Sequence, residues 1–274
     1  RNVAIGYNAL TTEDAHGKNV AIGHEALRLL NAGVDGENVA VGYDTGKAMT
    51  TGIKNTIMGA SAGDALTTGS NNTALGYSAL STEDTGNRSV AIGSFALFSQ
   101  NNDSNNDNTA VGYNAGFALT TGINNTLIGA LAGDALTTGS TNVAIGYNAL
   151  SAQQTNGQNV AVGAQALQNQ NVSGHGNNTA IGLQAGLNIT TGFKNTIIGS
   201  TAGDALTEGQ NNIIIGFGSA ASAVDVNNEI TLGDGNISSI RCQVQTISSL
   251  SDERDKTNIQ DSTYGLDYIN SLRP

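Results

Sequence analysis

Asn142-Val143-Ala144-Ile145-Gly146 is the phrase whose reading decides the fold, because it is one of fourteen. Copies written Asn-(Val/Thr)-Ala-(Ile/Val/Leu)-Gly, with variants, end at Gly6, Gly23, Gly42, Gly59, Gly76, Gly93, Gly112, Gly129, Gly146, Gly163, Gly182, Gly199, Gly216 and Gly233. The spacings run 17, 19, 17, 17 and repeat in that order, so a higher period of 70 residues carries Gly6 to Gly76, Gly146 and Gly216. A fixed period of this kind marks a solenoid, in which each coil buries what its neighbours cannot bury alone. The expected fold is all-β: a parallel β-solenoid, or β-roll, of about fourteen 17- or 19-residue coils. At one strand spacing per coil, about 4.8 Å, it makes a rod about 65 Å long.

Within each phrase the residue before the glycine is a large aliphatic (Ile5, Ile22, Val41, Met58), and this column is expected to be core. Two residues earlier stands Val, Thr or Ile, β-branched as strands prefer. The residue between them is Ala in most copies but Ile57, Leu127 or Ile197 in the third coil of each unit. Both faces of the strand are therefore apolar, as in a buried strand, with one face expected toward the coil interior and the other toward a neighbouring subunit. The glycine permits a turn that a Cβ would obstruct, and the leading Asn can bond backbone in the corner. Between phrases an Ala-Leu pair recurs (Ala26-Leu27, Ala79-Leu80, Ala149-Leu150), a second apolar contact whose four-residue context fits either a short strand or one helical turn.

Composition narrows the function classes. The 274 residues include no Trp, one Pro, 4% aromatics and 36 Gly, too little bulk for an ordinary core, so a thin core shared between identical chains is expected. With 12% charged residues and a net charge of −11, a basic face for nucleic acid or anionic lipid is missing, and no apolar run is long enough to span a bilayer. His16, His24 and His175 share no ligand spacing, so neither a metal nor a cofactor is expected. Cys242 is single, which fits a buried free thiol. The chain opens at Arg1 without a leader-like segment, as a piece of a longer protein would.

The second coil of each unit is two residues longer, and the extra length falls at 29–37, 99–107 and 169–176. Insertions in a solenoid bulge to one side, so three loops about 19 Å apart would form a row. Their polar residues Asn31, Asp35, Asn102, Asp103, Asn105, Asn171 and His175 are candidate receptor contacts. Tyr7, Tyr43, Tyr77, Tyr113 and Tyr147 each follow a phrase glycine, placed either to stack on sugars or to pack on the next corner. Asp64, Asp134 and Asp204 recur every 70 residues and are expected to accept backbone N–H groups at a corner.

The phrases Asn2-Val3-Ala4-Ile5-Gly6 and Asn142-Val143-Ala144-Ile145-Gly146 resemble the head repeats of trimeric autotransporter adhesins, which are trimeric parallel β-rolls with shorter repeats. After Gly233 the periodicity stops. Ser251-Asp252-Glu253-Arg254-Asp255-Lys256, followed by Gly265-Leu266-Asp267-Tyr268-Ile269-Asn270-Ser271-Leu272-Arg273-Pro274, resembles the opening of the endosialidase-type intramolecular chaperone that ends many phage tail spikes and fibres. That resemblance implies a chaperone that trimerises, folds the fibre ahead of it and cuts itself off between Ser251 and Asp252. Ser251 would be the nucleophile and Lys256 its base, which requires a Lys made neutral by desolvation. The expected division is a solenoid over 1–235, an intertwined trimeric connector over 236–250 and the truncated start of the chaperone over 251–274.

The expectation that follows is a homotrimeric phage tail-fibre shaft or head, made of this chain with two identical copies. It would sit on the virion tail and bind a host cell-surface polysaccharide or protein receptor without being an enzyme in the ordinary sense. A bacterial trimeric surface adhesin is the alternative, although the C-terminal motif argues against it. An ice-binding solenoid is suggested by Thr pairs such as Thr50-Thr51 and Thr67-Thr68, which occupy only two coils in four. A polysaccharide-cleaving enzyme would need a recurring carboxylate pair, and the repeats carry none with a nearby His or Arg.

Overall fold

A computed structural model describes residues 1–13, 16–174 and 176–241. In them the chain forms fourteen three-residue strands, from β1 (Val3–Ile5) to β14 (Ile230–Leu232), one per phrase. Consecutive strands pair side by side in chain order as a single 14-stranded sheet, a parallel β-solenoid of about 13 turns. Val143, Ala144 and Ile145 face Val160, Ala161 and Val162, and the longer step from Val160 to Thr179 keeps the same alignment. The repeats form one compact unit, Arg1–Asn236. Residues 242–274 lie outside the described residues, and with them Cys242, most of the expected connector, Ser251, Asp252 and Lys256. His175 lies outside them too.

The orientation of the strands corrects one expectation. The aliphatic before each glycine is not in the chain's own core: Ile5, Met58, Ile128 and Ile181 are exposed and Ile22, Val41 and Ile145 half-buried. The middle residue of the strand is the one that points inward, with Ala21, Ala40, Ile57, Ala144 and Ile197 fully buried. The reason is geometric. Alternation puts one side chain of a three-residue strand on the face opposite the other two, and a coil this narrow admits the single one.

The core is then closed by size complementarity. Leu27 and Leu80 fill the interior where the neighbouring strand offers Ala, whereas Ile57 meets Gly46 and Gly63 at the corresponding places. A Cβ on Gly63 would lie 3.2 Å from Ile57 Cδ1, so the large residue has moved from the turn to the strand. The Ala-Leu segment is neither strand nor helix. Asn8 and Leu10, and likewise Leu80 and Leu97, adopt left-handed φ near +50°, an alternation that folds the chain sharply and aims the leucine inward. Burial of the leucine offsets a backbone strain of about 1–2 kcal/mol per residue.

From Asn19 to Asn212 the leading Asn of the phrases forms a buried ladder. Asn55 Oδ1 accepts the Asn72 N–H at 2.9 Å while Asn55 Nδ2 donates to the Gly69 carbonyl at 2.9 Å. Asn125 repeats both contacts with Asn142 and Gly139. Each Asn thus satisfies a corner of its own coil and one backbone donor of the next, the accounting a buried turn requires. Ser89 interrupts the series, and Gln100 bridges the break by donating to Ser89 Oγ at 2.7 Å and accepting from Asn108 Nδ2 at 2.9 Å.

Candidate functional site

The two outward columns of the strands make the most unusual surface of the molecule. Val, Thr or Ile occupies one and Ile, Val, Leu or Met the other, through all fourteen strands, without a charged residue. Beside them runs the residue after each glycine, which reads Tyr7, His24, Tyr43, Ala60, Tyr77, Ser94, Tyr113, Ala130, Tyr147, Ala164, Leu183, Ser200 and Phe217 before a charged residue, Asp234, closes it. Tyr7 and Phe217 are 69% and 74% exposed. The strip is roughly 65 Å long and roughly 10 Å wide. That places its area at the upper end of what a monomer leaves uncovered, and close to one partner's share of a standard interface.

The tyrosines alternate with smaller residues, and two of the gaps are filled from within. His24 lies flat between Tyr7 and Tyr43, ring centroids 5.3 and 4.8 Å apart and planes within 22° and 11°. Phe95 stands edge-on to Tyr77 at 5.2 Å and to Tyr113 at 6.4 Å, and Phe98 stacks on Phe117 at 5.2 Å. Ring-on-ring packing of successive corners, one of the two placements the sequence allows, is therefore realised for Tyr7, Tyr43, Tyr77 and Tyr113.

Behind His24 lies a charged corner that sequence spacing alone does not advertise. His24 Nδ1 is 3.2 Å from Asp44 Oδ1, Lys47 Nζ is 3.0 Å from Asp44 Oδ2 and 2.7 Å from Glu25 Oε2, and Arg28 Nη1 is 3.1 Å from both Glu25 oxygens. The Lys47 ammonium holds the Glu25 carboxyl below its ordinary range, and Glu25 in turn raises Lys47. His24, Glu25 and Asp44 would offer three donor atoms to a cation, but both carboxylates are already engaged by Lys47 and Arg28, which balance their charge. The signal that finds this group is the long-coil offset: Asp44 and Lys47 each follow Glu25 and Arg28 by 19 residues, one coil.

The insertion loops lie where they were expected. The chain leaves the ladder at Asn31, Asn101 and Asn171, each bonded to a Thr one coil on, and rejoins it at Gly36, Asn106 and Gly176. Asn31, Asp35, Asp103, Asn105 and Asn171 are exposed and Asn102 is half-buried. They are not brought together: four coils, about 19 Å, separate one loop from the next. Several are also tied down. Asp35 pairs with Lys18 at 2.9 Å and accepts the Gly17 N–H, and this lowers its carboxyl. Asp103 accepts from Thr85 Oγ1 at 2.7 Å, and Asn102 Nδ2 donates to the Thr121 carbonyl at 3.2 Å.

Asp64 and Asp134 do not show the expected backbone bonds: Oδ1 of each is buried without a partner among the described residues, and partial burial pushes both carboxyls upward. The Thr hydroxyls are drawn into the coil stack, since Thr50, Thr67, Thr120 and Thr137 each donate to a carbonyl of the following coil. No protein-family model, curated protein or solved structure matches the chain.

Proposed function

We propose that this chain is a shaft or head segment of a homotrimeric phage tail fibre that attaches the virion to a host surface. The observation that carries the reading is the uncharged apolar strip along the strands. Three copies arranged around an axis parallel to the rod, each turning this strip inward, would cover it and leave the acidic, Asn-rich loops facing solvent. The tail-fibre reading is favoured over a bacterial trimeric adhesin by the motif from Ser251 to Pro274. On that reading the fibre matures by cleavage between Ser251 and Asp252, with Ser251 attacking and Lys256 taking its proton.

Host contact is assigned to the row of insertion loops, where Asn31, Asp35, Asp103, Asn105 and Asn171 reach solvent. Contacts repeated along three chains add through effective concentration, so weak affinity for a repeating polysaccharide, or for a protein receptor, suffices.

The mass of the intact assembly in solution tests the core of the proposal. A trimer is expected, and Ile145→Asp with Ile181→Asp is expected to release folded monomers. A monomeric wild type rejects it. Maturation is tested by expressing the chain with a downstream chaperone domain and comparing Ser251→Ala, since equal processing of both removes the assigned nucleophile.

A further inference from the structure

Under the second and third long loops the coil buries a polar corner, and the two differ in chemistry. In the second unit it holds Glu83, Gly86, Gln100 and Asn106; in the third the same places carry Gln153, Asn156, Gln170 and Gly176. Backbone register is the same in both, with Thr82 N–H on Phe98 O at 3.2 Å and Ala152 N–H on Gln168 O at 3.0 Å.

The second corner closes around its carboxylate, and Asn106 Oδ1 alone of its buried side-chain atoms has no partner among the described residues. Fully buried Glu83 accepts from the Gly86 N–H at 2.7 Å, Gln100 Nε2 at 3.0 Å and Asn106 Nδ2 at 2.9 Å, so an acceptor-only group meets only donors. Gly86 is required there, because a Cβ would run into Asn106 Nδ2. In the third corner the asparagine has crossed to position 156 and the glycine to 176, where a Cβ would run into Asn159 Oδ1. Bulk is conserved by this exchange and hydrogen bonding is not. Asn156 Oδ1 accepts from the Gly176 N–H at 2.8 Å and Asn159 Nδ2 at 3.1 Å, and Gln170 Nε2 donates to Asn159 Oδ1 at 3.0 Å. Left over are Gln153 Oε1, Gln153 Nε2, Asn156 Nδ2 and Gln170 Oε1, none with a partner among the described residues, on three side chains with no solvent exposure. Native interiors leave only a few such groups per hundred residues.

We infer that the third corner binds one internal water molecule. Two of the orphaned atoms are amide N–H donors and two are carbonyl acceptors. A cation would face the two N–H groups, and an anion the two carbonyl oxygens. A ligand that accepts twice and donates twice satisfies the set, and water at a buried polar site does this. The water completes the bonding that the Glu83 carboxylate provides in the second corner and props the loop bearing Asn171 and Gly174, beside a cleft of about 250 Å³ lined by Thr138, Thr155 and Gly174.

A crystal structure of the whole chain, at a resolution that shows single waters and after soaking in rubidium bromide, tests this. Expected is one peak within about 2.7–3.2 Å of at least three of the four atoms, without anomalous signal from either ion, and no such peak at Glu83. Direct pairing of the four atoms with protein groups, or a rubidium or bromide peak, overturns it. Gln153→Glu with Asn156→Gly and Gly176→Asn copies the second corner. Water relaxation dispersion of that folded variant is expected to lose one long-lived water per chain, and an unchanged count overturns the assignment. If the variant does not fold, the wild-type map decides alone.

Discussion

Leu127 and Ile128 are neighbours in one strand, similar in size and apolarity, yet Leu127 has no exposure and Ile128 is more than a third exposed. The inner side chain is held by what stands opposite: Leu127 lies against Gly116 and Gly133, whose missing side chains make its room. The outer one stands on the opposite face of the strand, in register with Val111 and Ile145 of the neighbouring coils. Inner positions therefore answer for the stability of one coil, and outer positions, on the proposal above, for association between chains.

Five substitutions would break or sharpen this contrast. Gly146 has φ +132° and a Cβ there would lie 2.6 Å from Gly163 backbone, so Gly146→Ala is expected to cost at least about 3 kcal/mol in denaturant unfolding, or to prevent folding. Leu127→Ala should cost about 2–5 kcal/mol, while Ile128→Ala should leave monomer stability within about 0.5 kcal/mol and lower the assembled fraction by mass. Equal losses for the pair would erase the distinction. Asn125→Ala removes a ladder acceptor and a donor, for an expected loss of about 1–3 kcal/mol. Smallest is Asp134→Asn. Burial raises the folded pKa of Asp134 above its unfolded value, so its contribution is present below the unfolded pKa and is lost as pH rises through the folded one. The variant should melt slightly higher at neutral pH, and the gap should close as pH falls below the ordinary carboxylate range.

Much of this fold could be read in advance because the phrase glycines count the coils directly. Strand positions, parallel order and the loop sites at Asn31, Asn101 and Asn171 all follow from spacing. The inward direction did not follow, because an Ala between two β-branched or aliphatic residues offers three apolar positions, and apolarity alone does not say which face is narrow. The left-handed leucines were hidden for another reason: Leu80 and Leu97 adopt a conformation that leucine avoids in isolation, imposed by the interior each must fill. The His24, Glu25 and Asp44 corner escaped notice because its members are one long coil apart and share no motif.

The asparagine ladder also separates the rod's length from its end structures. Each coil receives and passes on the same bonds, so a 70-residue block spliced in at Asn72 or Asn142 presents its neighbours with donors and acceptors they already meet. Reach can then be edited in increments of about 19 Å, since gain or loss of one 70-residue unit leaves the bonds between coils unchanged.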